Sequence, residues 1–102
     1  MRKITEQLVK AFSENRRFKS GNDEVTTSGT NVHLWLHGNN IARNGPDGLE
    51  INLCGWNTMT TRDRLNGLPG VNLRTVKGTL LLNGSPVSSD GWVTVGARVI
   101  KH

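Results

Sequence analysis

The chain has 102 residues, a formal net charge of +5 from 13 Lys and Arg against 8 Asp and Glu, a hydrophobic fraction of 34% and one cysteine. That length suits one domain with one modest core, and the clustering of the apolar residues argues against disorder. A single Cys54 excludes an intramolecular disulfide framework and fits a reducing cytoplasm, while the absence of any run near ~20 apolar residues excludes a membrane helix.

From Lys3 to Phe18, Ile4, Leu8, Ala11 and Phe12 recur at helical spacing, which predicts an amphipathic helix packed on the rest of the chain. The pattern weakens at Asn15, Arg16 and Arg17, so Asn15 to Ser20 reads as a mobile basic end. Turn residues Ser20-Gly21-Asn22-Asp23 follow. Strict alternation in Asn31 to His37 predicts a strand with Val32, Leu34 and Leu36 on one face and His33, Trp35 and His37 on the other. Gly38-Asn39-Asn40 reads as a turn and Ile41-Ala42-Arg43 as a short strand. Gly45-Pro46-Asp47-Gly48 is hairpin chemistry leading into a strand from Leu49 to Cys54 with Leu49, Ile51 and Leu53 inward.

Beyond Gly55-Trp56, Thr60-Thr61-Arg62-Asp63 resembles a capping box with Asp in place of Glu, and Gly67 and Pro69 end a helix of about two turns with Thr61, Leu65 and Leu68 inward. Strands are predicted at Val71 to Val76 and Thr79 to Leu82, joined at Lys77-Gly78. After the turn Asn83-Gly84, Trp92 to Val95 is the last strand. The expected architecture is one α+β domain over 1–102. Its helix (about 3–18) packs on a five- or six-stranded, mainly antiparallel meander, and a short helix is inserted within the sheet region at about 24–96.

The segments Leu34-Trp35-Leu36-His37-Gly38-Asn39-Asn40-Ile41-Ala42, Gly55-Trp56, Thr60 to Gly67, Asn83-Gly84 and Trp92-Val93-Thr94-Val95 together resemble a pattern of small uncharacterised bacteriophage-encoded proteins. The resemblance covers roughly residues 30 to 95 and brings no activity, cofactor or binding residue. It implies a phage-encoded protein acting inside a bacterial cell, where small phage proteins bind host proteins or DNA.

Site candidates follow from residue chemistry. Trp35 stands between His33 and His37 on one sheet face: facing outward, it is a docking or base-stacking surface whose imidazoles gain positive charge on acidification, and covered by the helix from Lys3 to Phe18, it is core. Trp56 and Trp92, each beside a glycine, are expected to close the core. Arg62 and Arg64, with the amides at the start of their helix, could meet phosphate, and Arg16, Arg17 and Lys19 could add to such a patch. Metal binding is not expected, because imidazoles four residues apart on a strand stand about 13 Å apart. Ser85, Ser88, Ser89 and Asp90 form a polar turn with no nucleophile elbow, so no enzyme and no cofactor is expected. The leading reading is a cytoplasmic, non-enzymatic protein that docks on a host protein to modulate or inhibit it. The alternative is a nucleic-acid-binding module, and an enzyme with a composite site is the outsider. The sequence leans to the protein partner because Glu14, Asp23, Glu24, Asp47 and Asp63 dilute the basic residues.

Overall fold

The computed structural model describes residues 2–97. Helix α1 (Lys3–Ser13) buries Leu8, Ala11 and Phe12, as their spacing predicts, but the fourth fully buried position is Thr5, with Ile4 half-buried. The helix is shorter than predicted. Asn15 adopts φ +54°, and the Arg16 amide reaches back to the Ala11 carbonyl at 2.9 Å. This six-to-one bond over a left-handed residue is how helices close, and Asn tolerates that conformation better than other side-chain-bearing residues. The predicted mobile end is therefore corrected: Phe18–Ser20 forms strand β1, paired with β2 (Asp23–Ser28) in the register Phe18↔Val25 and Lys19↔Glu24.

Strands β3 (Asn31–Leu36), β4 (Asn39–Gly45) and β5 (Gly48–Ile51) continue the meander, and the chain returns much later as β9 (Val93–Gly96). The six-stranded sheet has the order β1-β2-β3-β4-β5-β9, with every pairing antiparallel. Val32, Leu34 and Leu36 are buried, in agreement with the alternation. A bulge shifts the register so that Leu34 faces Ala42 while Trp35 faces Asn40. The extra residue, Ile41, lets two neighbours, Ile41 and Ala42, both enter the core. Gly48, at φ +113°, lies so close to β9 that a Cβ there would stand 2.2 Å from the Gly96 carbonyl oxygen. Any larger residue would push the closing strand away.

Between β5 and β9 the chain builds a second layer. Helix α2 (Met59–Asn66) is capped by Thr58, whose hydroxyl accepts from the Thr61 amide at 3.2 Å. The predicted box at Thr60 was two residues late, and Asp63 is occupied elsewhere. Thr61, Leu65 and Leu68 are buried as expected. Gly67 ends the helix without a left-handed turn, at φ −73°. A Cβ at this position would meet Val9 and Thr5 at 2.7 and 2.9 Å, so its small size is what allows α1 and α2 to touch.

Strands β6 (Leu73–Val76), β7 (Thr79–Leu82) and β8 (Ser85–Pro86) form a separate three-stranded sheet, where the sequence suggested further strands of the meander. Val71, Leu73, Leu80 and Leu82 of this unit join Leu8, Phe12, Leu34, Ile51 and Leu65 in one contiguous core. Both helices lie on the Val32/Leu34/Leu36 side of the large sheet. Among the described residues, no helix covers the opposite side, which carries Trp35.

Candidate functional site: the outer sheet face

Alternation and register together decide what the uncovered face presents. Trp35 faces Glu24 on one side and Asn40 on the other, and Lys19 lies beyond Glu24. The next row runs Thr26, His33, Arg43, Glu50 and Thr94 across five strands. Trp35 is half-buried with its indole N–H donating to Thr26 Oγ1 at 2.8 Å, so its polar edge is satisfied and its ring supplies contact area. The His33 and Trp35 rings lie 6.2 Å apart at 42°.

The Asn40 side chain lies 3.0 Å from His33 Nδ1. With its nitrogen turned toward the carbonyl oxygens of Ala42 and Leu34, at 2.8 and 3.2 Å, its oxygen accepts from His33 Nδ1–H.

Arg43 is held from two directions. Its Nε donates to Glu50 Oε1 at 2.8 Å, and its guanidinium carbon sits 3.9 Å from the centre of the Trp92 ring. The pair is partly exposed, with side-chain accessibilities of 40% and 27%. A cation over a partly exposed ring and a solvated ion pair each contribute about 1 kcal/mol or less, so they do little for the fold. They do remove the rotamer entropy that a free arginine loses on binding, about 0.5–1.5 kcal/mol. Beside them a hollow of about 300 Å³ lies between His33, Arg43, Glu50 and the Pro46–Asp47 turn. Among the described residues in the paired strands, the charged side chains of the face are balanced, Lys19 and Arg43 against Glu24 and Glu50.

The predicted site residues are not all brought together. His33 and Trp35 share the face, but His37 does not. Its φ of +52° starts the two-residue turn His37–Gly38, which takes the side chain out of the alternation and to the far end of the sheet. The face therefore carries one imidazole rather than two. Arg64 is no solvated phosphate contact. It is buried on α2, donating to Asp23 Oδ1 at 2.7 Å, Asp63 Oδ2 at 2.9 Å and Thr5 Oγ1 at 2.9 Å. Arg62 donates to the Asn57 carbonyl and side chain. Arg16 reaches Glu14 at 3.2 Å in the exposed loop after α1, and Arg17 is exposed in the same loop. The basic candidates thus form no single stripe. Trp56, expected in the core, is 59% exposed.

Arg43, Glu50 and Trp92 were missed as site residues. The first two carry a signal in hindsight, since alternation through Ile41–Arg43 and Leu49–Ile51 places them outward and a Pro46–Asp47 hairpin sets them opposite one another. Trp92 carries none, because only the return of β9 to the sheet edge brings it over Arg43.

Cys54 is half-buried beneath the Asn40 bulge, its thiol 3.4 Å from the Asn40 carbonyl oxygen. Burial, with a smaller contribution from the Asp90 charge, raises its pKa above the ordinary thiol value. Less thiolate at neutral pH means slow chemistry. Alkylation by a thiol reagent is expected to run more slowly in the native protein than in urea. Equal rates in the two conditions would show that the thiol is free in the native fold.

The description "Kyanoviridae Gp96 protein" belongs to a family model that matches residues 1–94, nearly the whole chain and including α1. The chain belongs to this phage protein family. No curated protein and no solved structure matches it. The family match extends the resemblance read from residues 30 to 95 through the N-terminal helix. Among the described residues of this Gp96 family member, no helix is long and apolar enough to cross a membrane, and no cluster of three His, Cys, Asp or Glu is placed to hold a metal ion.

Proposed function

We propose that this Gp96 family member is a non-enzymatic binding protein that docks on a host protein in the bacterial cytoplasm and modulates or inhibits it, using the outer face of its large sheet. One observation carries the reading: two tryptophans and an arginine, the residue types that dominate interface hot spots, stand on an uncovered face with the arginine already locked by Glu50 and Trp92. The balanced charge of that face supports a protein partner over a polyanion, whose recognition draws on an excess of cations. The nucleic-acid reading loses Arg64 to the core, and Arg62 is already engaged with Asn57.

The test is affinity purification from infected host cells with and without nuclease, using the parent protein, Trp35→Ala and Arg43→Ala. A host protein should be retained by the parent after nuclease, with little salt dependence. Trp35→Ala should weaken that complex by about 30-fold or more while keeping the parent's circular dichroism and melt. Arg43→Ala, at a more exposed position, reports on the same face should Trp35→Ala fail to fold. Retention unaffected by either substitution would rule out this face. Material that vanishes on nuclease treatment and with added salt would favour the nucleic-acid alternative.

A further inference from the structure

Away from the outer face, two chain reversals carry side chains to the rims of one cavity. His37 sits at the first position of the β3–β4 turn. Cys54 and Gly55, at φ +56° and +79°, form a second tight turn closed by the Trp56 amide on the Leu53 carbonyl at 2.9 Å. The Trp56 backbone is pinned again where its carbonyl accepts from the Thr58 amide at 2.8 Å, and Gly55 is tied to Ser89 at 2.7 Å. The chain around Trp56 is therefore fixed, yet the ring remains 59% exposed. A tryptophan held this firmly and left uncovered is uncommon, since Trp is highly buried on average.

The cavity beside it has a volume of about 410 Å³, within the range of small-molecule sites. Its floor is made by Leu36, Ile41 and Leu53, all buried, and Trp56 forms a wall. His37, Asn39 and Thr60 supply the polar rim, and their side chains make no hydrogen bond to another described residue. No Asp, Glu, Lys or Arg is among the described lining residues. An aliphatic floor with an aromatic wall suits a flat, unsaturated ring and is poor for a sugar, whose hydroxyls would be left unpaired against leucine and isoleucine. A rim without carboxylate, ammonium or guanidinium groups suits a ring with donors and acceptors along its edge and no charge of its own. A second basin of about 490 Å³ continues from this cavity, sharing Leu36, His37 and Thr60. That basin is polar, with Gln7, Ser20 and Asn22, and carries Lys3 in addition to the already paired Asp23 and Arg64.

We infer that the first cavity is a nucleobase site, with the base stacked on Trp56 and its edge read by His37, Asn39 and Thr60, and that the second basin takes the ribose and a 5′-phosphate near Lys3. The site is independent of the outer face, so loss of one leaves the other in place.

The experiment is a titration of the full chain, followed by amide and indole resonances, with adenosine, guanosine, cytidine and uridine, then with the 5′-monophosphate of whichever binds. Methyl glucoside serves as the sugar control, and a short single-stranded oligonucleotide separates a free nucleotide from a base within a strand. At least one nucleoside should give saturable shifts at His37, Thr60 and the Trp56 indole, and the 5′-phosphate should tighten binding and add shifts at Lys3. Trp56→Ala, exposed enough to keep the parent melt, should weaken binding by about 5- to 150-fold. Arg74→Ala, at a residue that lines neither cavity, should leave it unchanged. Tighter binding by the oligonucleotide at the same resonances would assign the base to a strand, and weaker binding would assign it to a free nucleotide; both keep the site. The inference is overturned by the absence of any saturable nucleoside, by shifts centred on Trp35 and Trp92, by equal saturation with methyl glucoside, or by Trp56→Ala binding like the parent. A 5′-phosphate that leaves affinity unchanged would overturn the assignment of the second basin.

Discussion

Arg64→Ala is expected to lower stability by about 3–5 kcal/mol, a large share of the roughly 5–15 kcal/mol that holds a domain of this size together. The side chains of Arg64 and Asp23 are only 7% and 10% accessible, and Asp63 closes the cluster at 25%. Thr5 completes it, its hydroxyl donating to Asp63 Oδ2 at 2.5 Å while accepting from Arg64. The guanidinium thus ties α1, α2 and β2 together, and its removal leaves the nearly buried Asp23 carboxylate, with the partly exposed Asp63, without its cation. That uncompensated charge, rather than the intrinsic worth of an ion pair, is the source of the large effect. Arg64→Lys should fall between the two, because an ammonium keeps the charge but cannot reach three acceptors from a planar fork. Urea unfolding of the three proteins checks this. An Arg64→Ala midpoint within error of the parent, at the same denaturant slope, would mean that the cluster is solvated and that Arg64 is available for phosphate contact after all.

Leu8→Ala is expected to cost about 2–5 kcal/mol. Leu8 is completely buried on α1 and joins the core cluster with Phe12, Leu34 and Leu65. Truncation removes the transfer free energy of its methyl and methylene groups and leaves a void that the surrounding side chains fill only partly. The outer-face residue Trp35 lies on the other side of the sheet, so the partner contact should survive wherever the Leu8→Ala protein is still folded. Thermal and denaturant melts measure the loss. A parent-like melt would show that α1 is detached from the core and acts as an arm, in which case the burial of Thr5 and the Arg64 cluster would have to be reconsidered with it.

How much of this was legible beforehand differs from element to element. The inward set Val32, Leu34 and Leu36 and the set Leu49, Ile51 and Leu53 could be read directly, because a pleated strand sends neighbouring residues to opposite faces whatever packs on it. The turns at Pro46–Asp47, Lys77–Gly78 and Asn83–Gly84 were equally readable, since their backbone requirements are met by the residues in the turn itself. The end of α1 was not. Arg16 and Arg17 continue a helical pattern as well as they enter a loop, and what decides is that Phe18 gains a strand partner in Val25.

The amphipathic start of α1, the alternating strands, the hairpin turns and the α+β class were determined by the sequence itself, because each depends on residues a few positions apart. Only the tertiary structure decided the functional side chains. Arg64 looks like a solvated helix arginine until Asp23, 41 positions away, and Thr5, 59 away, close around it. Trp92 looks like a core residue until β9 returns to β5 and lays it over Arg43, and Trp56 until two left-handed residues turn it out to solvent. Burial and charge pairing are properties of contacts between distant segments, and local periodicity carries no information about which segments will meet.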